Sequence, residues 1–134
     1  MIDPFAQRLI DSDESVRQRF GFDVVNATDG SCQLRAVIDA GWLNGAGFIH
    51  GGVCYALMDS ACAYACASRQ VLGVTTNGNI TYVKGAKSGT TLFPTATVLR
   101  QSRRVMSLTA HVHDEQDLLL AHGSFLFQLR PSGE

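Results

Sequence analysis

The residue most able to do chemistry in this sequence is Asp59, the only charged residue between Gly51 and Ser68. Because the segment around it is apolar on every side, an ionised carboxylate there is costly unless it is paired or close to water. Such surroundings raise the pKa of an aspartate above its usual value of about 3.9 and are typical of a general base or nucleophile. The alternative is a structural Asp59 that bonds a neighbouring backbone group or a tyrosine hydroxyl.

The tripeptide His50-Gly51-Gly52 stands directly before this apolar segment. Glycines at a helix start leave backbone N–H groups bare at the positive end of the helix dipole, where they can hold a developing oxyanion. Gly51 and Asp59 are eight residues apart, which is about 12 Å along a helix. One scissile carbonyl cannot contact both within a single subunit. If both act, the sequence predicts a homodimer whose antiparallel helices share the active sites.

Two polar residues before the helix have roles that the spacing leaves open. Asn44 could orient water or a substrate carbonyl, or it could be a plain turn residue. His50 could polarise a carbonyl, or it could bond the loop backbone. Neither interpretation is preferred by the residue types alone.

Metal-ligating residue types occur, but their spacing does not favour a metal site. Cys62 and Cys66 lie one helical turn apart without a second ligand pair nearby. His111 and His113 share a strand face with a serine and a threonine, which favours a solvated surface. The sequence therefore predicts neither a metal nor a redox cofactor.

Length and composition bound the class of protein. The chain has 134 residues, a formal net charge of −1 and 46% hydrophobic residues. These values predict one globular domain over residues 1–134 and argue against nucleic acid as a partner. The N terminus shows no basic and apolar leader, and the most apolar stretch is shorter than a membrane span, so we expect a cytoplasmic protein without membrane association. The four cysteines are interpreted as free, buried thiols.

Charge is distributed unevenly along the chain. No Asp or Glu occurs from Ser60 to His113, whereas six Lys and Arg residues do. The segment is interpreted either as solvated strand ends and turns or as a shallow anion site for a phosphorylated small molecule. The basic residues are Arg69, Lys84, Lys87, Arg100, Arg103 and Arg104.

The first part of the chain predicts a helical lead-in and a hairpin. Residues 1–20 have Asp3 as a good N-cap, followed by a proline at the first helical position. Thr28-Asp29-Gly30-Ser31 is typical of a hairpin turn. It joins two alternating segments, which predict strands at 22–27 and 32–39.

The rest of the chain predicts one buried helix followed by strands. The apolar run 53–67 is hydrophobic all round, as a helix buried on most sides would be. Short connections make the strands antiparallel neighbours, and a curved sheet of five to six strands must cover its apolar face with that helix. The predicted fold class is therefore α+β. The strands predicted after the helix are 75–83, 90–100, 105–113 and 118–129.

From about Phe22 onward the sequence resembles the hotdog-fold acyl-CoA thioesterases, and within them the phenylacetate-degradation (PaaI-type) group. The resemblance implies a hotdog fold, hydrolysis of aryl- or arylacetyl-CoA thioesters, and a homotetramer built as a dimer of dimers. The residues that carry it are Asn44-Gly45-Ala46-Gly47-Phe48-Ile49-His50-Gly51-Gly52, Leu57-Met58-Asp59-Ser60-Ala61 and Ala63-Tyr64-Ala65-Cys66.

The resemblance also implies a role for each matching residue. Asp59 is expected to act as base or nucleophile toward the thioester, and the backbone N–H of Gly51 of the partner subunit to polarise its carbonyl. Asn44 and His50 are expected to position water and the thioester. The other expected substrate contacts are Gly52, Thr76 in the strand after the helix, and Lys84, Arg100, Arg103 and Arg104 near the coenzyme A phosphates.

Two other functions stay open on the sequence alone. A dehydratase or hydratase of the same fold would use His50 and Asp59 as acid and base on an acyl thioester. A non-catalytic module would bind acyl-CoA without turnover. Conversion of an enoyl thioester without thiol release would indicate the first, and tight binding without turnover would indicate the second.

Overall fold

The computed structural model describes residues 1–130, which begin with two short helices. Helix α1 spans Pro4–Ser12 and helix α2 spans Glu14–Arg19. Asp3 caps α1, because its carboxylate accepts hydrogen bonds from backbone N–H groups of the first turn. The remaining part of the predicted domain 1–134, residues 131–134, lies outside the described residues.

Within residues 1–130 the strands are β1 Phe22–Thr28, β2 Ser31–Val37, β3 Leu72–Tyr82, β4 Thr91–Gln101, β5 Val105–Asp114 and β6 Leu119–Arg130. They form one antiparallel sheet in the order β1-β2-β4-β5-β6-β3. β3 therefore crosses to the far edge of the sheet and pairs with β6. The prediction that the short connection 84–89 makes β3 and β4 antiparallel neighbours is wrong, because β4 pairs with β2 and β5 instead. The predicted α+β class is confirmed.

The sheet curves around one central helix, α3, which spans Gly51–Ala67. α3 begins two residues before the predicted Val53, because His50 caps it: the His50 Nδ1 accepts the Gly52 backbone N–H at 2.9 Å. Strands from the whole sheet and α1 pack against α3. Its many Ala and Cys side chains are small, so these elements approach it closely from several sides.

The predicted turn between β1 and β2 is present and is fixed against α3. Asp29 and Gly30 both have positive φ, 48° and 83°, which is the backbone that two-residue hairpin turns favour. The Gly30 N–H donates a hydrogen bond to the Ser68 hydroxyl at 2.7 Å. This contact ties the hairpin to the end of the helix.

β3 is an edge strand, and it contains a bulge. Its 11 residues pair only with β6, so the backbone groups on its other side have no strand partner within residues 1–130. The register shifts between Thr75 and Asn77, which leaves Thr76 unpaired. Thr75 lies opposite the buried Phe127 and therefore points toward α3.

Candidate active site

Two hydrogen bonds join α3 to β3 and frame the candidate site. Thr75 Oγ1 donates to the Asp59 carboxylate at 2.5 Å, and Tyr82 Oη donates to the Gly51 carbonyl oxygen at 2.7 Å. The start of the helix therefore faces the end of the strand, and the middle of the helix faces the beginning of the strand. On β3, Thr75 is therefore the residue beside Asp59, and Tyr82 is the residue beside Gly51.

Asp59 is half-buried and lacks a cationic partner within residues 1–130, where the one ion pair joins Arg69 to Asp29. Burial raises the pKa of Asp59 above its ordinary value, and the hydrogen bond from Thr75 lowers it, with burial the larger effect. The result is a partly desolvated carboxylate of increased basicity. Such a group can take a proton from water or attack a carbonyl carbon.

The hydroxyl that contacts Asp59 belongs to Thr75, the residue before Thr76, which the resemblance implies as a substrate contact. Thr76 Oγ1 instead donates to the Leu126 carbonyl oxygen at 3.2 Å. The bulge in β3 explains why the two threonines differ. Thr76 is the extra residue of the bulge, so it has no paired position on β6, whereas Thr75 is paired and points toward α3. A bulge cannot be located by counting positions from the helix.

His50 and Gly52 together form the N-cap of α3. The bond from the Gly52 N–H to the His50 Nδ1 favours the backbone-bonding interpretation of His50 over the carbonyl-polarising one. It also occupies the only backbone donor of Gly52. The expected contact of Gly52 with substrate stays a prediction, and in this structure the Gly52 N–H is engaged in the cap.

A cavity of about 420 Å³ opens beside the start of α3. Gly51 lines it, and the Gly51 N–H donates to no group within residues 1–130. This bare donor lies at the positive end of the helix dipole, where an oxyanion would be stabilised. The other lining side chains are mostly apolar, with Phe48, Ile49, Leu92, Val112 and Leu120 among them.

Asn44 and Lys84 line the same cavity. The Asn44 Oδ1 accepts the backbone N–H groups of Ala46 and Phe48 at 3.0 and 3.1 Å, so its carbonyl oxygen holds the loop before the helix in a tight turn. Lys84 is exposed and adds a positive charge to the wall. The structure thus brings three predicted site residues together, Asn44, Gly51 and Lys84.

The predicted basic cluster is not one cluster within a chain. The Lys84 backbone N–H bonds Leu120 near the start of β6, whereas the Arg104 carbonyl oxygen bonds Leu129 near its end. Leu129 is nine residues further along the strand than Leu120, which is about 30 Å. Arg100 and Arg103 lie at the same end as Arg104, on the β4–β5 hairpin. Within one chain, Lys84 and the arginines are therefore too far apart to contact the same phosphate group.

Other reactive side chains near the cavity add no second centre. Burial raises the pKa of Cys54 to about 11, so this cavity-lining thiol stays protonated at neutral pH. In the described part of the chain no three His, Cys, Asp or Glu side chains group closely enough to hold a metal ion. None of the helices in residues 1–130 has the length and apolar character to cross a membrane.

Sequence reasoning missed Thr75 and Tyr82, the two β3 residues that contact Asp59 and Gly51. The alternating pattern of the strand shows which residues share a face but not which face meets the helix. The signal in the sequence was weak. Thr75 and Tyr82 carry hydroxyl groups toward opposite ends of a strand that follows a helix with one carboxylate. Pattern alone gives them no partner.

A curved antiparallel sheet around one buried helix, with β3 at the far edge beside β6, defines a hotdog-fold protein. A family model that matches the sequence assigns the chain to one superfamily. The chain belongs to the thioesterase superfamily, whose model matches residues 46–121, and it is a thioester hydrolase by that membership.

Individual relatives agree with this assignment. The acyl-coenzyme A thioesterase PaaI of Escherichia coli (strain K12) is 27% identical over 108 residues, 81% of this chain and 77% of that protein. The structure of the Escherichia coli PaaI protein from the phenylacetic acid degradation operon superimposes with a TM-score of 0.86 at 24% identity, covering 92% of this chain and 94% of that one. A Streptococcus mutans protein bound to acetyl-CoA gives a TM-score of 0.80 at 24% identity, covering 82% and 89%.

Proposed function

We propose that this protein is an acyl-CoA thioesterase that hydrolyses aryl- or arylacetyl-CoA thioesters to the free acid and coenzyme A. The observation that carries the proposal is the half-buried Asp59 carboxylate, which has a raised pKa and a single hydroxyl partner in a thioesterase fold. Coenzyme A takes part as a piece of the substrate. Water and a carboxylate suffice for the hydrolysis, so no metal or redox cofactor is needed.

In the proposed reaction Asp59 acts as base or nucleophile at the thioester carbon. As a base it takes a proton from water while the water oxygen bonds to that carbon; as a nucleophile its own oxygen forms the bond, and water later cleaves the resulting anhydride. In both cases the C–S bond breaks and the thiolate leaves with a proton. Thr75 is the positioning residue that holds the carboxylate in place.

The carbonyl oxygen of the thioester is proposed to lie on the bare N–H of Gly51 of the partner subunit. The distance of about 12 Å between the two residues on one helix requires the second chain. The unpaired edge of β3 supplies an antiparallel junction. When Thr75 lies opposite Tyr82 of the partner subunit, each Asp59 faces the other chain's Gly51, and the two-fold axis passes between Gly78 and Asn79.

The acyl-CoA substrate is proposed to enter through the cavity at Gly51. Its volume of about 420 Å³ falls within the range of small-molecule sites. Asn44 is assigned to position the thioester from the cavity wall, and His50 acts on it through the cap that fixes Gly51. Lys84 is the group proposed to meet a phosphate. The names of the Escherichia coli and Streptococcus mutans relatives support coenzyme A thioesters as the substrate class.

The location proposed for the protein is the cytoplasm. Its cysteines Cys32, Cys54, Cys62 and Cys66 are all free and buried, and free thiols persist in a reducing compartment.

Thiol release is the measurement that tests the proposed activity. Purified protein is assayed with phenylacetyl-CoA, benzoyl-CoA and a straight-chain acyl-CoA, and the arylacetyl substrate is expected to give the highest kcat/KM. Hydration or dehydration of an enoyl thioester without thiol release would favour the dehydratase. Binding of all three without turnover would favour the acyl-CoA-binding module.

The pH dependence of hydrolysis is expected to follow the Asp59–Thr75 bond. Because activity needs the ionised carboxylate, kcat/KM should fall as the pH drops through the raised pKa of Asp59. Thr75→Val removes the hydrogen bond that lowers this pKa, so the acid limb should move to higher pH. Thr76→Val is the matched control, since its hydroxyl bonds Leu126 and its limb should stay in place. Equal profiles for the two variants would argue against Asp59 as the titrating group.

A further inference from the structure

A second cavity, of about 370 Å³, is formed where α1 and α3 meet the start of β3. We call it the α1 cavity, and we call the one that Gly51 lines the Gly51 cavity. Leu9 of α1, Ala63 of α3 and Leu72 of β3 give the α1 cavity apolar walls. Its two charged lining residues, Asp13 and Arg130, have opposite signs. The described wall therefore carries no net charge and suits a neutral, apolar group.

The α1 cavity lies next to Asp59 on both the helix and the strand. On α3, Ala63 is four residues after Asp59 and so lies on the same face, one turn or about 6 Å further along. On β3, Gly73 lines the cavity and shares the inner face with Thr75, the hydroxyl partner of Asp59, because both lie opposite buried residues of β6. A group attached to a carbon at Asp59 can therefore extend directly into this cavity.

In the proposed dimer the α1 cavity of one chain meets the Gly51 cavity of the other. When Thr75 lies opposite Tyr82 of the partner subunit, the antiparallel register sets residues 72–74 against residues 83–85 of the partner subunit. Residues 72–74 line the α1 cavity, and residues 83–85 line the Gly51 cavity. The register follows from Asp59 and Gly51 alone, so the match of the two cavities is an independent observation. Asp59 stands where they meet.

We propose that these two cavities divide the acyl-CoA substrate between two chains. The acyl group lies in the α1 cavity of the chain that supplies Asp59, and the coenzyme A arm lies in the Gly51 cavity of the other chain. This division rests on the proposed function, which fixes the register. The walls agree with it: Lys84 gives the Gly51 cavity a positive charge for a phosphate, whereas the α1 cavity has apolar walls without net charge.

The α1 cavity also sets the size of the acyl group. The ring of an arylacetyl group extends about as far beyond its carbonyl carbon as one helical turn, which places the ring beside Ala63. Ala63 has a small side chain and is only partly buried, so it leaves room there. Leu9 brings α1 into the same wall. Ala63 and Leu9 are therefore specificity-determining residues: the first admits the ring and the second limits its size.

Filling the α1 cavity tests where the acyl group lies. Ala63→Leu keeps a good helix former and adds bulk to the cavity. The ratio of kcat/KM for phenylacetyl-CoA to that for acetyl-CoA should fall about 10- to 100-fold, the range by which apolar pockets discriminate size. Ala40→Leu, the same exchange at an exposed position, is the control and should keep the wild-type ratio. An unchanged ratio for Ala63→Leu, with thiol release intact, would overturn the division and leave the proposed function standing.

Widening the cavity gives a second readout that does not require the bulky variant to fold. Leu9→Ala should raise the ratio of kcat/KM for naphthylacetyl-CoA to that for phenylacetyl-CoA at least threefold. Val16→Ala, which shortens an exposed side chain on the neighbouring α2, should leave this ratio at the wild-type value. A Leu9→Ala ratio equal to that of Val16→Ala would count against α1 as part of the acyl site.

Coexpression of Ala63→Leu with Asp59→Ala tests which chain holds the acyl group. Every active site in this mixture uses Asp59 of the Ala63→Leu chain, so the ratio for phenylacetyl-CoA against acetyl-CoA should stay as low as for Ala63→Leu alone. A ratio above that value would assign the acyl group to the other chain and overturn the division. No thiol release by wild type from either substrate would overturn the proposed function and, with it, the division.

Discussion

Replacing Asp59 by Asn is expected to lower kcat/KM for phenylacetyl-CoA by about 10²- to 10⁴-fold, the contribution usual for a positioned base. Asparagine has nearly the same shape and can still accept the hydrogen bond from Thr75 through Oδ1. It can neither take a proton from water nor attack as a carboxylate. The measurement is thiol release at neutral pH. Asp11→Asn on the exposed face of α1 is the control and should hydrolyse at the wild-type rate.

The stability of Asp59→Asn separates a catalytic role from a structural one. Because burial raises the pKa of Asp59 in the folded chain, its contribution to stability is full below the unfolded pKa and is lost as the pH rises through the folded pKa. The ionised carboxylate is half-buried and has no cationic partner within residues 1–130, so the neutral amide should give a Tm at or above that of wild type wherever Asp59 is ionised. A near-normal rate, or a loss of rate together with a lower Tm, would contradict the proposed role.

The sequence predicted the architecture because local periodicity and burial agree for most elements. An all-apolar run of small residues predicts a buried helix, and the short turns after β4 and β5 correctly predict that β4, β5 and β6 are neighbours. The short connection 84–89 gives the wrong neighbour, because β3 pairs with β6 and not with β4. The strand at the far edge of the sheet could not be predicted in this way. β3 pairs with β6 across a long separation, and nothing local in 72–82 indicates that partner.

The candidate site was predictable where chemistry depends on residue type and not where it depends on register. Asp59 is recognisable because a carboxylate in an apolar helix is anomalous on any fold. Thr76 was named as a substrate contact from its position in the strand, and the neighbouring Thr75, which contacts Asp59, was missed. The bulge that sets the two apart depends on the pairing of β3 with β6, which is not visible in the sequence. The arginines and Lys84 were grouped because they share a charge, although opposite ends of β6 hold them. Distances across a sheet are tertiary information.

A mixture of two inactive variants is expected to recover activity if the site is shared between chains. Gly51→Pro removes the bare N–H but keeps the helix start, because proline suits the first helical position and His50 already has the extended backbone that precedes proline, with φ −65° and ψ 133°. Losing one oxyanion donor should lower kcat about 10²- to 10³-fold. Gly51→Ala is the matched control: its Cβ meets the Tyr82 ring at the same 3.0 Å, yet the N–H remains.

Coexpression of Gly51→Pro with Asp59→Ala then distinguishes a site shared between two chains from a complete site within each chain. A mixed dimer holds one site with both defects and one site with neither, since Asp59 of the first variant faces Gly51 of the second. Random pairing makes about half of the dimers mixed, so thiol release should reach about a quarter of the wild-type rate, far above either variant alone. If each chain instead carried a complete site, every site in the mixture would keep one defect and the rate would stay at the sum of the two variants. The edge of β3, which leaves room for a second chain beside Thr75 and Tyr82, favours recovery.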